Sequence, residues 1–240
     1  MSPLPLHLLP DNATVDADGD LSIAGCRIAD LAELYGTPLF VYDEDHIRAR
    51  CREAVAAFGA ERVVYATKAF LCRAMARLAH EEQMLLDVAT GGELFVAMAA
   101  GVPASSCMLH GNNKSVGELR QAIEAGVRAI VVDSFDELDR LEAIHADGVR
   151  AGGAGPEGDG SVPEVLIRVT PGVHAHTHEF VATGQDDSKF GFNLANGDAA
   201  AAVDRARRSP AVELVGVHCH IGSNVFDASS FARAAEVMAG

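Results

Sequence analysis

Short apolar runs alternate with longer, alanine-rich amphipathic stretches along most of the chain. Apolar strands that alternate with helices are typical of parallel βα units, whose strands are buried on both faces. The pattern predicts strands at 38–42, 62–66, 84–88, 106–109, 129–132, 163–169 and 212–219. It predicts helices at 44–58, 71–80, 92–100, 116–125, 135–145, 197–208 and 229–238, with Asp43 capping the first of them.

Two α/β architectures fit this alternation, a doubly wound sheet and a (β/α)8 barrel. No GxGxxG motif follows the first strand, as a dinucleotide-binding sheet would require. Polar residues stand at the carboxyl ends of most strands, where a barrel gathers them at one mouth: Lys68, Asp87, His110, Asp133, Arg168 and His220. We therefore predict a parallel (β/α)8 TIM barrel.

The domain organisation follows from the same pattern. We expect an N-terminal segment over 1–35 and a partial barrel over 36–240, with about six of the eight βα units present. The chain stops inside a predicted helix, which indicates a truncated barrel. The glycine-rich stretch 146–162 is predicted as an exposed loop within the barrel, because the βα pattern resumes after it.

Composition and charge exclude several classes of function. The chain has 240 residues, with 19 Lys and Arg against 34 Asp and Glu, and its net charge of −15 argues against binding to nucleic acid or to anionic membranes. No apolar stretch approaches the ~20 residues of a membrane span, and the N-terminus lacks the basic region of a signal peptide. Five scattered cysteines predict free thiols in a reducing cytoplasm.

Lys68 and Asp87 end neighbouring predicted strands and are the first candidates for chemistry. A lysine desolvated at a barrel mouth is a nucleophile that forms Schiff bases, although a strand-end lysine is also a common surface residue. Asp87 can orient that lysine, or it can serve only as a helix cap or a structural ion pair. The pair Gly91 and Gly92 allows a ligand to approach the backbone closely.

Histidines recur in two segments. His174, His176 and His178 alternate in one, and His218 and His220 form a second His-x-His pair. Metal binding is a weak alternative here, because no cysteine or carboxylate is spaced to complete a zinc site, and we predict no metal.

Other polar residues of these segments suit an organic ligand. His220 can lie flat on an aromatic ligand, with Gly222 and Ser223 beside a phosphate, and His218 is predicted as a structural histidine. Lys189 lies in a charged run between phenylalanines, where it either is solvated or pairs with a carboxylate at the mouth.

Five segments in order resemble the diaminopimelate decarboxylases, which belong to the alanine-racemase-like fold type III of pyridoxal-phosphate enzymes. The segments are YATKA, DVATGGEL, HGNNK, RVTPGVHAHTHEFVATGQDDSKFGF and GVHCHIGSN. The similarity runs from about Gly36 to Gly240. It implies a barrel that binds pyridoxal 5'-phosphate, a C-terminal β-domain that is absent from this chain, and a homodimer in the full-length form.

The resemblance also implies a role for each matching residue. Lys68 would bind the cofactor as a Schiff base, His220 would stack on its ring, and Ser223, next to Gly222, would bind its phosphate. Asp87, Arg168 and Lys189 would form the polar shell of the cofactor, and His110 and Asn113 would belong to the same mouth. The expected reaction is decarboxylation of meso-diaminopimelate to L-lysine, a step of amino-acid biosynthesis.

Alternatives of two kinds remain open. An ornithine- or arginine-type decarboxylase shares the lysine, the stacked histidine and the serine, and an alanine racemase fits less well. A non-catalytic cofactor-binding barrel fragment and a metal-binding barrel are the non-enzymatic alternatives. In the resembling family, several cofactor- and substrate-binding elements come after the point where this chain ends, so we expect little activity from these 240 residues alone.

Overall fold

The protein is described here as a computed structural model, which covers residues 8–150, 162–173, 190–223, 225 and 228–239. The chain divides into two compact units, Met1–Val63 with Glu81–Met84 and Val64–His80 with Leu85–Gly240. The predicted domain boundary after residue 35 stays a prediction. None of the described helices is long and apolar enough to cross a membrane.

The first unit holds a small antiparallel sheet and two helices. Its strands are paired in chain order: β1 (Thr14–Val15), β2 (Leu21–Ile23) and β3 (Cys26–Arg27). Helices α1 (Ile28–Tyr35) and α2 (Glu44–Phe58) follow. The cap of α2 is confirmed, because the Asp43 carboxylate accepts a hydrogen bond from the backbone N–H of His46 at 3.1 Å. The sheet was not predicted, since strands of two or three residues carry no readable period.

The predicted strand at 38–42 is wrong. None of the described strand pairings includes this segment, and Phe40 within it is 86% exposed. An apolar run forms a strand only where a neighbouring strand offers its backbone groups, and the pattern of one segment cannot report such a neighbour.

The described residues of the second unit form six parallel βα units. The strands on the main path of its sheet are β4 (Val64–Ala66), β5 (Leu85–Val88), β6 (Cys107–Leu109), β7 (Ala129–Val132), β8 (Glu164–Thr170) and β10 (Glu213–His218). A further strand, β9 (Phe192–Asn193), pairs with β8 in parallel. The helices are α3 (Arg73–Glu81), α4 (Gly91–Ala99), α5 (Val116–Ala125), α6 (Phe135–Arg150), α7 (Asp198–Arg208) and α8 (Ala228–Ala239).

The sheet order is β10-β8-β7-β6-β5-β4, and every pair along it is parallel. Every strand and helix predicted from residue 62 onward is found, with ends within a few residues except at α6, which continues to Arg150. This confirms the partial α/β barrel. The described strands do not close it, since no pairing joins β4 to β10.

Burial is deepest at the middle of the sheet. All four residues of β7 are buried, whereas the edge strand β10 alternates between exposed and half-buried residues. A central strand is covered on both faces, and its residues are accordingly Ala, Ile and Val. The polar residues thus stand at the ends of strands that belong to a sheet with a buried centre.

Candidate active site

The predicted polar residues lie at the carboxyl ends of the parallel strands. Lys68 lies in a 3₁₀ turn (Thr67–Ala69) directly after β4, and Asp87 lies within β5. His110 follows β6, Arg168 lies in β8 and His220 follows β10. Because parallel strands all end at the same edge of a sheet, this edge collects one amine, one carboxylate, one guanidinium and two imidazoles.

The charge of Lys68 acts on His220, although their strands stand at the two ends of the sheet order. Burial is the main cause that lowers the pKa of His220 to about 4, and the positive charge of Lys68 is the next. The amine after β4 thus contributes to the electrostatics of the imidazole after β10.

The turn that carries Lys68 is anchored to the sheet. The buried hydroxyl of Thr67 donates to the carbonyl oxygen of Asp87 at 2.8 Å, and the hydroxyl of Tyr65 donates to the carbonyl oxygen of Phe70 at 2.7 Å. Lys68 itself is exposed, so the described residues do not supply the expected desolvation of its amine. The backbone is fixed while the side chain stays accessible to a ligand.

Asp87, His110 and His218 form a row across the mouth. Nδ1 of His110 lies 3.3 Å from Oδ2 of Asp87, and the ring of His110 contacts the ring of His218 edge-on, with centroids 4.8 Å apart. Nε2 of His110 and Nδ1 of His218 are buried and have no hydrogen-bond partner among the described residues. A buried polar atom without a partner is costly, so these two nitrogens are suited to a bound polar group.

His218, the last residue of β10, and His220, two residues later, both have pKa values far below the ordinary 6.5, which favours their neutral forms at neutral pH. Burial, followed by the charge of His110 and then that of Arg168, lowers the pKa of His218 to about 3. Burial, followed by the charges of Lys68 and Arg168, lowers the pKa of His220 to about 4. A neutral imidazole can press its face against an aromatic ring without the cost of desolvating a cation.

Arg168 is held inside the sheet edge. Its side chain is 6% exposed, and its NH1 donates to Oδ1 of Asp133 at 2.6 Å. The guanidinium carbon lies 4.9 Å from the centre of the Phe190 ring. The backbone N–H of Gly191 donates to the other carboxylate oxygen of Asp133 at 3.1 Å. A side chain at Gly191 would meet the carbonyl oxygen of Arg168 at 2.7 Å, so only glycine fits there.

Sequence reasoning named Asp133 of this pair without a role, and it missed two buried charged residues next to the pair. Lys114 is 2% exposed and its amine lies 2.9 Å from Oε1 of Glu137, which is 3% exposed. Oε2 of Glu137 accepts from the backbone N–H of Asp133 at 3.1 Å. Lys114 is the last residue of the HGNNK segment, which was the only signal in the sequence.

The remaining predicted residues fall into two groups. Gly222 adopts a left-handed φ of 136° that favours glycine, Ser223 is half-buried and Asn113 is exposed. Lys189 and the three histidines of the GVHAHTHEF segment lie outside the described residues. Within the described ranges, no group of three His, Cys, Asp or Glu side chains is arranged to hold a metal.

The donor set matches the chemistry of a pyridoxal group. An accessible amine suits an aldehyde, a neutral imidazole face suits a pyridine ring, and a carboxylate with an unpartnered His110 nitrogen suits polar groups on that ring. Gly222 and Ser223, two and three residues after His220, supply backbone and hydroxyl donors. The residues therefore fit the cofactor that the sequence motifs imply.

Comparison with known proteins agrees with this chemistry. The pyridoxal-binding domain of the pyridoxal-dependent decarboxylases matches residues 44–240. The diaminopimelate decarboxylase of Mycobacterium bovis is 51% identical over 240 residues, which cover 98% of this chain and 51% of that protein. The enzyme of the same name from Bacillus subtilis is 47% identical over 222 residues, covering 91% of this chain and 48% of that protein.

The fold has solved relatives as well. The crystal structure of diaminopimelate decarboxylase from M. jannaschii in complex with L-lysine superposes with a TM-score of 0.78 and 33% sequence identity. It covers 93% of this chain, which corresponds to 51% of that one. The chain spans about half the length of the relatives it matches.

Proposed function

The chain belongs to the pyridoxal-dependent decarboxylases through their pyridoxal-binding domain, and on this premise we propose that it serves the decarboxylation of meso-diaminopimelate to L-lysine, with pyridoxal 5'-phosphate as the cofactor. The main support for this substrate is that the chain is 51% identical, over 98% of its length, to a diaminopimelate decarboxylase. The geometry supports the cofactor, since Lys68 and His220 both follow strands at the carboxyl edge of the parallel sheet and the charge of Lys68 acts on His220.

Each residue of the mouth has a proposed task. The amine of Lys68 holds the aldehyde carbon, and the neutral ring of His220 packs on the face of the pyridine. Asp87 orients His110 from 3.3 Å, and His110 turns its buried Nε2 toward the ligand. Gly222 and Ser223 bind the phosphate. When bound, the cofactor draws off the electrons of the bond that releases CO2.

Arg168 and Lys189 complete the proposed polar shell. Arg168 acts from within the sheet edge, where its bond to Asp133 fixes the direction of the guanidinium, and its charge adds to burial and to the charge of Lys68 in lowering the pKa of His220. Asn113, exposed on the turn after His110, is proposed to face the substrate side of the mouth. These assignments follow the sequence motifs and the placement of the described residues.

The full-length protein is proposed to work as a homodimer in the cytoplasm. All five cysteines are free thiols in the structure, which supports a reducing compartment. The net charge of −15 supports a small-molecule substrate rather than a nucleic acid.

The chain offers a clean test of the cofactor lysine, because it contains only three lysines, Lys68, Lys114 and Lys189. The purified protein is incubated with pyridoxal phosphate and reduced with borohydride, and the labelled peptide is identified by mass spectrometry. We expect the label on Lys68, its loss in Lys68→Ala and its retention in Lys189→Arg. A label on Lys189 or Lys114 would overturn the assignment.

Substrate choice is tested separately. The full-length protein that contains this chain is given meso-diaminopimelate, ornithine and arginine in parallel, and CO2 release is measured. We expect release from meso-diaminopimelate at a rate at least a hundredfold above the other two. Preference for ornithine or arginine would replace the proposed substrate but leave the cofactor site intact.

A further inference from the structure

Lys114 is a charged side chain that is buried where charge is expensive, and no role in the proposed chemistry accounts for it. Its side chain is 0% exposed. The amine donates to the carbonyl oxygen of Gly111 at 2.5 Å and to that of Val131 at 2.7 Å, and lies 2.9 Å from Oε1 of Glu137. Two carbonyl oxygens accept hydrogen bonds from the amine, and the Glu137 carboxylate compensates its positive charge as an ion-pair partner.

An ion pair between Lys114 and Glu137, followed by hydrogen bonds, leads from Lys114 to the candidate site. Glu137 accepts from the backbone N–H of Asp133, and the Asp133 carboxylate accepts from Arg168 and from the backbone N–H of Gly191. We call Lys114, Glu137, Asp133 and Arg168 the buried network. Its two positive and two negative side chains cancel, which lets four charges remain below the surface.

The other side of Lys114 holds the turn that carries His110 and Asn113. Gly111 in this turn has a φ of 110°, and a side chain there would meet the carbonyl oxygen of Ala89 at 3.0 Å. The turn is therefore packed against the preceding strand end. From outside, NH1 of Arg140 donates to the carbonyl oxygen of Lys114 at 2.5 Å. The amine and the backbone of Lys114 are thus both fixed.

We propose that Lys114 is a positioning residue of the cofactor site, which sets His110 through the Gly111 carbonyl and Arg168 through Glu137 and Asp133. This inference rests on the proposed function, since the site that Lys114 positions is the cofactor mouth. Two of the residues that face the ligand, at the ends of β6 and β8, depend on one buried amine. Its removal loosens both at once, while Lys68 and His220 stay on their own strands.

The test compares cofactor binding with stability in the purified protein. Lys114→Met keeps an unbranched side chain one heavy atom shorter and removes the charge. We expect it to weaken pyridoxal phosphate at least tenfold, measured by titrating the absorbance of the lysine-bound cofactor, and to shift the absorbance maximum. Apo-protein stability, measured by thermal unfolding, falls as well, because Glu137 loses its cation.

Three further variants separate positioning from folding. Lys114→Met with Glu137→Gln removes both charges, so stability should recover in part while binding stays at least tenfold weaker. Arg140→Met removes the hydrogen bond to the Lys114 carbonyl and leaves the buried charges in place, so it should weaken binding about threefold. Arg205→Met, which breaks an ion pair on the helical surface, should change cofactor affinity less than twofold.

The outcomes are distinct. If wild-type protein binds no cofactor or labels another lysine, the proposed function fails. If Lys68 is labelled but the double variant and Arg140→Met both bind as wild type does, Lys114 is only structural and this inference is overturned. If Lys114→Met fails to fold, the double variant decides, and if that also fails, Arg140→Met decides.

Discussion

Helix α6 forms ion pairs on two faces, and the pairs differ in their exposure to solvent. On the inner face Glu137 meets Lys114 with both side chains buried. On the outer face Asp139 and Glu142 share Arg205 of α7, and all three side chains are more than 30% exposed. The two faces therefore differ in what an ion pair contributes to stability. Loss of the exposed outer ion pairs changes stability little, whereas loss of either partner of the inner pair leaves a buried charge uncompensated.

The pKa values of the carboxylates on the two faces shift in opposite directions, and the causes differ. On the inner face, burial raises the pKa of Glu137 and lowers that of Lys114, and each partner's charge opposes the shift. On the outer face, the hydrogen bond from Arg205 is the main cause that lowers the pKa of Glu142. The inner pair persists because of its attraction and its backbone bonds, not because its surroundings favour charge.

The largest effect is expected from Glu137→Ala. It leaves the Lys114 ammonium buried without its carboxylate and frees the backbone N–H of Asp133. Loss of one partner of a buried pair costs about 3–5 kcal/mol. Equilibrium unfolding in urea should show this loss as a lower midpoint with an unchanged slope.

The matched control for this variant is Glu142→Ala on the outer face of the same helix. It should cost less than about 1 kcal/mol. Equal losses for the two variants would contradict the distinction between the faces. A loss below about 1 kcal/mol for Glu137→Ala would show that water or a neutral amine replaces the pair.

How much of this was readable from sequence differs within α6 itself. Leu138 and Leu141 recur at helical spacing and predict the buried face, and the structure buries both. Glu137 lies on that face too, but its partner Lys114 is on another βα unit. Hydrophobic periodicity predicts which face of a helix is buried. It does not predict which side chain from a distant part of the chain packs against that face.

The mouth was more predictable than the buried network behind it. Strand ends in a parallel sheet share one edge, so locating the strands located Lys68, Asp87, His110 and Arg168 at once. The strand at 38–42 failed because strand formation depends on a partner, and β1 to β3 and β9 were missed because they are too short to show alternation.

The second-largest expected effect is a pH dependence of stability that differs between the candidate site and the outer face of α6. His218 and His220 have folded pKa values near 3 and 4, against an ordinary 6.5, because burial disfavours their charged forms. Their depressed values mean that the unfolded chain takes up protons first, so stability is complete above pH 6.5 and falls as pH decreases toward 4. Each ring contributes up to about 1.4 kcal/mol per pH unit.

The outer pair responds in a lower window. The pKa of Glu142 is lowered from 4.5, so its contribution is present above pH 4.5 and is lost only below it. The free energy of unfolding, measured from pH 7 to pH 5, should therefore decrease because of the two histidines. In His218→Asn its dependence on pH should be less steep. Cys219→Ala, which removes a neighbouring side chain but no group that titrates in this window, should leave the slope unchanged. An unaltered slope in His218→Asn would contradict the assignment.

The smallest effect is expected from Arg205→Met. Arg205 is 31% exposed and its two partners are more exposed still, so water already screens the attraction. We expect a loss below about 1 kcal/mol that 1 M NaCl removes, because the Debye length falls to about 3 Å at that salt. The loss of stability caused by Glu137→Ala should persist at the same salt concentration, because the charges of the inner pair are buried and dissolved ions do not screen them. If salt cancelled both losses, the inner face of α6 would be solvated like the outer one, and the buried network could not hold Arg168 in the way proposed.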